Sequence, residues 1–217
     1  NLPQVKFSYT TRIQIKNEME DVISKITNEL EFPLYVKPAN LGSSVGISKA
    51  KDIQTLKNAL LEASLYDTRI IVEEGKNVRE IEVSVLGNDN PQASVPGEII
   101  PCNEFYDYQA KYVDDRSKLI IPAPLEETTI NNLKKLAVEA YLALNCWGMA
   151  RVDFFICNDT NEIFINEVNT LPGFTTISMY PKLWEHSGIK MGELIDKLIL
   201  LAFEKSQEKA ENKTTFN

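Results

Sequence analysis

An α+β fold is predicted by three features of the 217-residue sequence. Apolar residues recur at helical spacing in separated stretches. Between these stretches lie short apolar or alternating runs that read as strands. Two such runs, MARVDFFI and EIFINEVN, flank the polar turn CNDTN (157–161), a hairpin arrangement that argues against a doubly wound parallel sheet.

The elements follow in order. Ile15, Met19, Val22, Ile23, Ile26 and Leu30 mark an amphipathic helix over 14–30. FPLYVKP (32–38) reads as a strand, ANLGSSVG as a loop, and GISKA (46–50) as a resumed strand. Asp52 can cap a helix carrying Ile53, Leu56, Leu60 and Ala63. TRIIVEEG (68–75) is a buried strand, and EIEVSVLG (80–87) alternates cleanly as another. Residues 101–122 hold four aromatics without a steady period and read as a long functional loop. A helix carries Ile130, Leu133, Leu136, Ala137, Ala140, Tyr141 and Leu144, and a closing helix carries Leu194, Ile195, Leu198 and Leu201. From Glu204 onward the tail is polar and is expected to fray. There is no internal repeat. Asn1 and the linker-like start NLPQVKFSY suggest a piece of a longer chain.

Composition sets the bounds. With 43% apolar residues the chain can bury a core as one or two domains. A net charge of −8 argues against nucleic acid and anionic membrane surfaces as partners. Any site for a phosphorylated ligand must therefore build its positive charge locally. Cys102, Cys146 and Cys157 have neither disulfide nor zinc spacing and fit reduced thiols in a cytoplasmic protein. No basic n-region with an apolar h-region opens the stretch, and no apolar run approaches about 18 residues, which makes a soluble cytoplasmic protein the expectation. His186, the only histidine, reads as a helix-end residue, and Trp147 and Trp184 as core. No Ser/His or Cys/His nucleophile system is available.

Three constellations carry chemistry. Lys37 precedes Gly42, Ser43, Ser44 and Gly46, where small residues could let backbone N–H groups and hydroxyls close over phosphate oxygens. Taken alone this stretch reads first as a plain hairpin turn. It is not a Walker A loop, because the lysine comes first and a strand follows. The second constellation is the hairpin. Arg151 and Asp153 share a strand face, as do Glu167 and Asn169, and a hairpin registered about its turn would let the pairs meet. Two carboxylates and an amide oxygen suit Mg²⁺. The alternative is a solvated face of ion pairs, but the flanking Phe154, Phe155, Ile163, Phe164 and Ile165 argue for a core setting. Third, Pro172-Gly173 leads to Thr175, Thr176 and Ser178, a turn that could hold a carboxylate or simply be a turn. The acidic residues Glu73, Glu74, Glu80 and Glu82 read as a strand edge facing water, with Glu73 and Glu80 able to meet a nucleotide.

Together these stretches resemble the D-alanine–D-alanine ligase family of ATP-grasp enzymes. KPANLGSSVGISK (37–49), EIEVSVLGN (80–88), FYDYQAKY (105–112), RVDFF (151–155), NEVNTLPGFT (166–175) and SMYPKLW (178–184) are similar to family signatures in order and spacing. The resemblance implies an ATP-grasp fold of two α+β subdomains, 1–80 and 81–217, with the nucleotide between them. It implies that Lys37 contacts ATP phosphates and that Ser43 and Ser44 lie in a flap over them. Glu73 and Glu74 would line the adenine pocket, and Glu80 would hold the ribose hydroxyls. Asp153, Glu167 and Asn169 would bind two Mg²⁺ ions, with Mn²⁺ able to substitute. Arg151 and the Gly173 N–H would stabilise the tetrahedral intermediate. Ser178 would bind the carboxylate of the second D-alanine, while Lys111 and Tyr112 would close over the reaction on a loop.

The implied reaction moves the γ-phosphate of ATP onto D-alanine, and the amine of a second D-alanine then displaces phosphate, a step that feeds peptidoglycan precursors. A cytoplasmic enzyme follows, and the family admits a homodimer. Tyr112 and the apolar Met179, next to Ser178, imply D-alanine as acceptor over D-serine or D-lactate. The family's N-terminal domain is not represented, which keeps a nucleotide-binding fragment without turnover as the competing expectation.

Overall fold

The computed structural model describes residues 2–41, 45–100, 118–213 and 215. They form two compact units. One is Gln4–Asn77; the other joins Val78–Ile100 to the chain from Leu119 onward.

The first unit has strands β1 (Phe7–Thr11), β2 (Leu34–Pro38), β3 (Ser48–Ala50) and β4 (Arg69–Glu74) in the order β1-β4-β2-β3. Its helices are α1 (Arg12–Asn17), α2 (Met19–Glu29) and α3 (Ile53–Tyr66). Thr11 ends β1 and opens α1: its hydroxyl oxygen accepts from the Gln14 N–H, and the Gln14 side chain accepts from the Thr11 N–H. The single helix expected over 14–30 is therefore two. Glu18, at φ −139° and ψ 36°, separates them. Asp52 and Thr55 form the same reciprocal cap at α3. The expected strand over 46–50 is shorter, because Gly46 sits at φ +74° with Tyr66 so close that a Cβ would lie 2.8 Å from its ring. One sheet face carries Leu34, Val36, Ile70 and Val72 into a core with Ile26, Leu56 and Leu60 from the helices. The other face presents Phe7, Tyr9, Tyr35, Lys37, Ile71 and Glu73.

The second unit has β5 (Val78–Gly87), β6 (Gln92–Ala93), β7 (Gly97–Ile100), β8 (Lys118–Ile120), β9 (Gly148–Cys157) and β10 (Ile163–Asn169). Their order is β10-β9-β5-β7-β8, with β6 beside β5. The helices are α4 (Glu127–Ala143), α5 (Met179–His186) and α6 (Met191–Ala210). β5 and β9 pair antiparallel without interruption from Val78–Cys157 to Gly87–Gly148. Ile81, Val83, Val85, Val152, Phe154 and Ile156 face a core shared with Leu133, Ala137 and Tyr141 of α4. The antiparallel sheets and flanking helices are the predicted α+β class.

Two expectations for this unit are corrected. The tail beyond Glu204 does not fray at once: α6 runs to Ala210. Asn88 donates to the Leu201 carbonyl at 3.1 Å and to Glu204 Oε2 at 2.7 Å, and the Lys205 and Lys209 ammonium groups lie 4.1 and 4.5 Å from the Trp147 ring centre. Trp147 is accordingly not core but a partly open platform, 39% exposed, while Trp184 is buried as expected. Of the expected loop 101–122, residues 118–120 form β8 and residues 101–117 lie outside the described residues.

α5 approaches the sheet where β7 has no side chain. A Cβ on Gly97 would lie 2.7 Å from Leu183 Cδ2 and 3.2 Å from the Met179 thioether. Gly97→Val is therefore expected to overpack this contact and cost about 1–3 kcal/mol of stability. Urea unfolding measures it, and an unchanged midpoint would refute close packing of α5 on β7.

Candidate active site

Period two divides the second unit's sheet into a core face and an opposite, polar face. Across β5 and β9, Glu80 pairs with Phe155, Glu82 with Asp153 and Ser84 with Arg151, so all six side chains lie on the polar face. β10 reaches that face through a bulge. Ile165 stands opposite Phe154 and Glu167 opposite Asp153, which leaves Asn166 as the extra residue. Had the Ile163–Ile156 register continued, Asn166 would oppose Asp153, and Glu167 would oppose Val152 on the core face. The bulge instead sets Glu167 beside Asp153 and Asn169 beside Arg151. At this point the Ile165 N–H, on the outer side of β10, donates to the Pro3 carbonyl at 2.8 Å.

The four residues singled out on this hairpin are in contact. Arg151 donates from Nε and Nη2 to the two Asp153 carboxylate oxygens, each at 2.7 Å. This two-pronged geometry is the strong form of an Arg–carboxylate pair. Asn169 Nδ2 donates to Asp153 Oδ2 and to Glu167 Oε1, both at 3.0 Å. Glu82, expected to face water, is instead buried at 6% exposure, with Oε2 3.0 Å from Arg151 Nε. Its diagonal neighbour is the reason: Arg151, opposite Ser84 on β9, brings a cation to the side of β5 that alternation had marked as solvent. Burial alone would lower the Arg151 pKa, but Asp153, Glu82 and Glu167 outweigh it and raise it further. Arg151 is a fixed positive charge among three carboxylates.

Those three carboxylates exceed the one guanidinium in charge, and the excess has the donor chemistry a divalent cation takes. Asp153 and Glu167 supply hard oxygens, and the Asn169 amide supplies another when turned by half a revolution about its Cβ–Cγ bond. Among the described residues no group of three or more His, Cys, Asp or Glu side chains is arranged to hold a metal. The fit rests on two carboxylates and an amide, a set that leaves room for water and phosphate oxygens in the coordination shell.

The turn after β10 organises the third constellation. Ser178 Oγ accepts from the Thr175 N–H at 3.0 Å and lies 2.8 Å from the Thr175 hydroxyl. A Cβ on Gly173 would come within 2.9 Å of that same Oγ, so glycine is required for the turn to close. Ser178 stands at the N-cap of α5 without capping it through its side chain. Met179, expected to wall an open substrate pocket, is 4% exposed and packs towards Gly97. His186 ends α5 with Nδ1 2.9 Å from the Lys182 carbonyl, in keeping with its helix-end reading.

In the first unit Lys37 and Glu73 share the open sheet face, with Lys37 Nζ 2.8 Å from Glu73 Oε2. Glu74 does not join them. Alternation turns it to the opposite side, where it accepts from the Glu31 N–H and pairs with Lys6 and Lys76. Burial would raise its pKa, and these partners together hold it below the usual carboxylate range. The expectation that Glu74 lines a nucleotide pocket beside Glu73 is thus corrected: its carboxylate is part of a structural ion-pair cluster. Ser43, Ser44, Lys111 and Tyr112 lie outside the described residues.

Among the described residues no helix is long and apolar enough to cross a membrane. A family model described as "D-ala D-ala ligase C-terminus" matches residues 1–200. The chain is 55% identical over 209 residues to a D-alanine–D-alanine ligase of Ruminiclostridium cellulolyticum, covering 95% of the chain and 56% of that protein. It is 53% identical over 204 residues to the D-alanine–D-alanine ligase of Acetivibrio thermocellus, covering 94% of the chain and 54% of that protein. Among solved structures, the D-alanine–D-alanine ligase of Coxiella burnetii superposes with a TM-score of 0.81 at 36% identity, over 97% of this chain and 55% of that one. The VanG D-Ala:D-Ser ligase of Enterococcus faecalis gives the same TM-score and identity over 92% of this chain and 57% of that one. The chain thus spans a little over half the length of the curated relatives it matches.

Proposed function

The chain belongs to the D-alanine–D-alanine ligase family, through that family's C-terminal region, and from this we propose that the whole protein is an ADP-forming ligase joining two D-alanines through a D-alanyl phosphate. The observation that carries the reading is the meeting of Arg151, Asp153, Glu167 and Asn169 on one sheet face, at the positions the family motifs mark. The product would serve peptidoglycan precursor synthesis.

The roles follow from charge and placement. Asp153, Glu167 and Asn169 are the residues to hold divalent cations, two Mg²⁺ or Mn²⁺, which when bound would neutralise charge on the transferring phosphoryl group. Arg151 offers fixed N–H donors to negative charge developing on the acyl carbon's oxygen, and the Gly173 N–H is assigned the same task. Because Arg151 is largely buried, little solvent must reorganise around it as that charge appears. Lys37 supplies positive charge to ATP phosphates, Ser43 and Ser44 are assigned to the same phosphates by the family motif, and Glu73 and Glu80 meet the adenosine. Ser178 receives the acceptor's carboxylate next to the N-terminal N–H groups of α5, which favour an anion. Lys111 and Tyr112 would exclude water from the acyl phosphate.

We assign D-alanine as the preferred acceptor. The stretch SMYPKLW (178–184), similar to the part of the family that handles the acceptor, supports this; Met179 itself is turned into the packing against Gly97 and supplies no partner for a D-serine hydroxyl. The likeness to a D-Ala:D-Ser ligase makes D-serine the competing acceptor. A competition assay with ATP, D-alanine, D-serine and D-lactate, read by product mass, tests both points. D-Alanyl-D-alanine is expected as the main product, with D-serine used on the order of a hundredfold less well, the limit for an apolar pocket facing an added hydroxyl. A D-lactate ester as main product would overturn the acceptor; absence of ADP with any acceptor would overturn the ligase.

A further inference from the structure

Arg151 has one Nε–H and two carboxylates within reach of it. Asp153 Oδ1 takes the bond at 2.7 Å, and Glu82 Oε2 lies 3.0 Å from the same nitrogen. A single N–H makes its straightest and strongest bond to one acceptor at a time. The two acids differ in their surroundings. Asp153 also accepts from Asn169 and stands beside Glu167, within the set suited to a cation. Glu82 stands on β5 directly opposite Asp153 and diagonal to Arg151, on the side of β9 away from β10, and is buried opposite Gly97. A carboxylate drawn to a cation gives up electron density and geometry to it. A guanidinium that relied on Asp153 alone would then lose its anchor.

We propose that Glu82 is a positioning residue for Arg151: it is the alternative acceptor that keeps the guanidinium on the reaction face when Asp153 turns its oxygens to a cation. The inference rests on the ligase reading for its consequence in catalysis, but the hydrogen-bond exchange itself does not. Being buried, Glu82 cannot be replaced by water in this role. Being held on a fully paired central strand, it returns Arg151 to the same place each time.

The test uses the intact protein with ¹⁵N-labelled arginine. In the wild type the Arg151 Nε–H resonance is expected to shift when Mg²⁺ and a non-hydrolysable ATP analogue are added, yet to stay protected from water exchange. In Glu82→Leu, which removes the acceptor at similar size, protection should be present without Mg²⁺ and lost with it. In parallel, kcat should fall about ten- to a hundredfold, the worth of one charge-assisted hydrogen bond, with the KM for ATP within about twofold. Glu82→Gln, which keeps an acceptor oxygen but not the charge, should fall between the two and serves if Glu82→Leu does not fold. Equal protection with Mg²⁺ in wild type and variant, or an unchanged kcat, would overturn the proposal. If the wild type makes no ADP with D-alanine, the ligase reading fails while the exchange comparison still decides the role of Glu82.

Discussion

Glu167→Gln is expected to abolish ligase turnover in the intact protein while leaving the fold standing. Glu167 is exposed, accepts only from the neighbouring Asn169 among the described hydrogen bonds, and has no packing role that glutamine could not fill. What the substitution removes is a full negative charge from the donor set. Groups that merely orient a metal ligand cost about 10–100-fold when changed, and loss of a direct ligand should exceed that. ADP release with ATP, Mg²⁺ and D-alanine gives the rate, and the melting temperature reports the fold. Ordinary turnover at ordinary Mg²⁺ would remove Glu167 from the cation site.

Arg151→Ala should act on stability as strongly as on rate. It leaves the buried Glu82 and the partly buried Asp153 without their cation, and removing one partner of such a cluster costs about 3–5 kcal/mol. Urea unfolding with and without Mg²⁺ separates two contributions. The loss should be large in chelator and partly restored by the cation, which binds the folded state and offsets the unpaired charge. A loss below about 1 kcal/mol would place Arg151 among the solvated surface pairs and refute its description as a fixed buried charge.

Much of this was legible in the sequence. The pairing of Arg151 with Asp153, and of Glu167 with Asn169, followed from strand period alone, and the hairpin from its polar turn. The hairpin's register did not follow, because it depends on Asn166. Its trace is nonetheless present: the apolar positions run Ile163, Ile165, Val168, a slip of one residue in an otherwise two-residue rhythm. Glu82 was misplaced because alternation tells which residues share a face, not which face meets a cation on the next strand. Glu74 shows the reverse error. The family resemblance, not the residue pattern, placed it with Glu73 in the adenine pocket, although neighbours on a strand point opposite ways. The length of α6 was hidden for a different reason: its end is decided by tertiary partners, Asn88 and Trp147.

The long β5–β9 ladder has a consequence for how such a protein can change over generations. Even and odd positions along these two strands answer to different demands. Ile81, Val83, Val85, Val152 and Phe154 are judged by how well they fill space against α4; Glu80, Glu82, Arg151 and Asp153 are judged by what they hold. A sheet with one face for each purpose lets packing drift while chemistry stays constant, or lets the ligand set be retuned without reopening the core. Two adjacent codons in β9 can therefore evolve almost as strangers, separated by no more than the thickness of a strand.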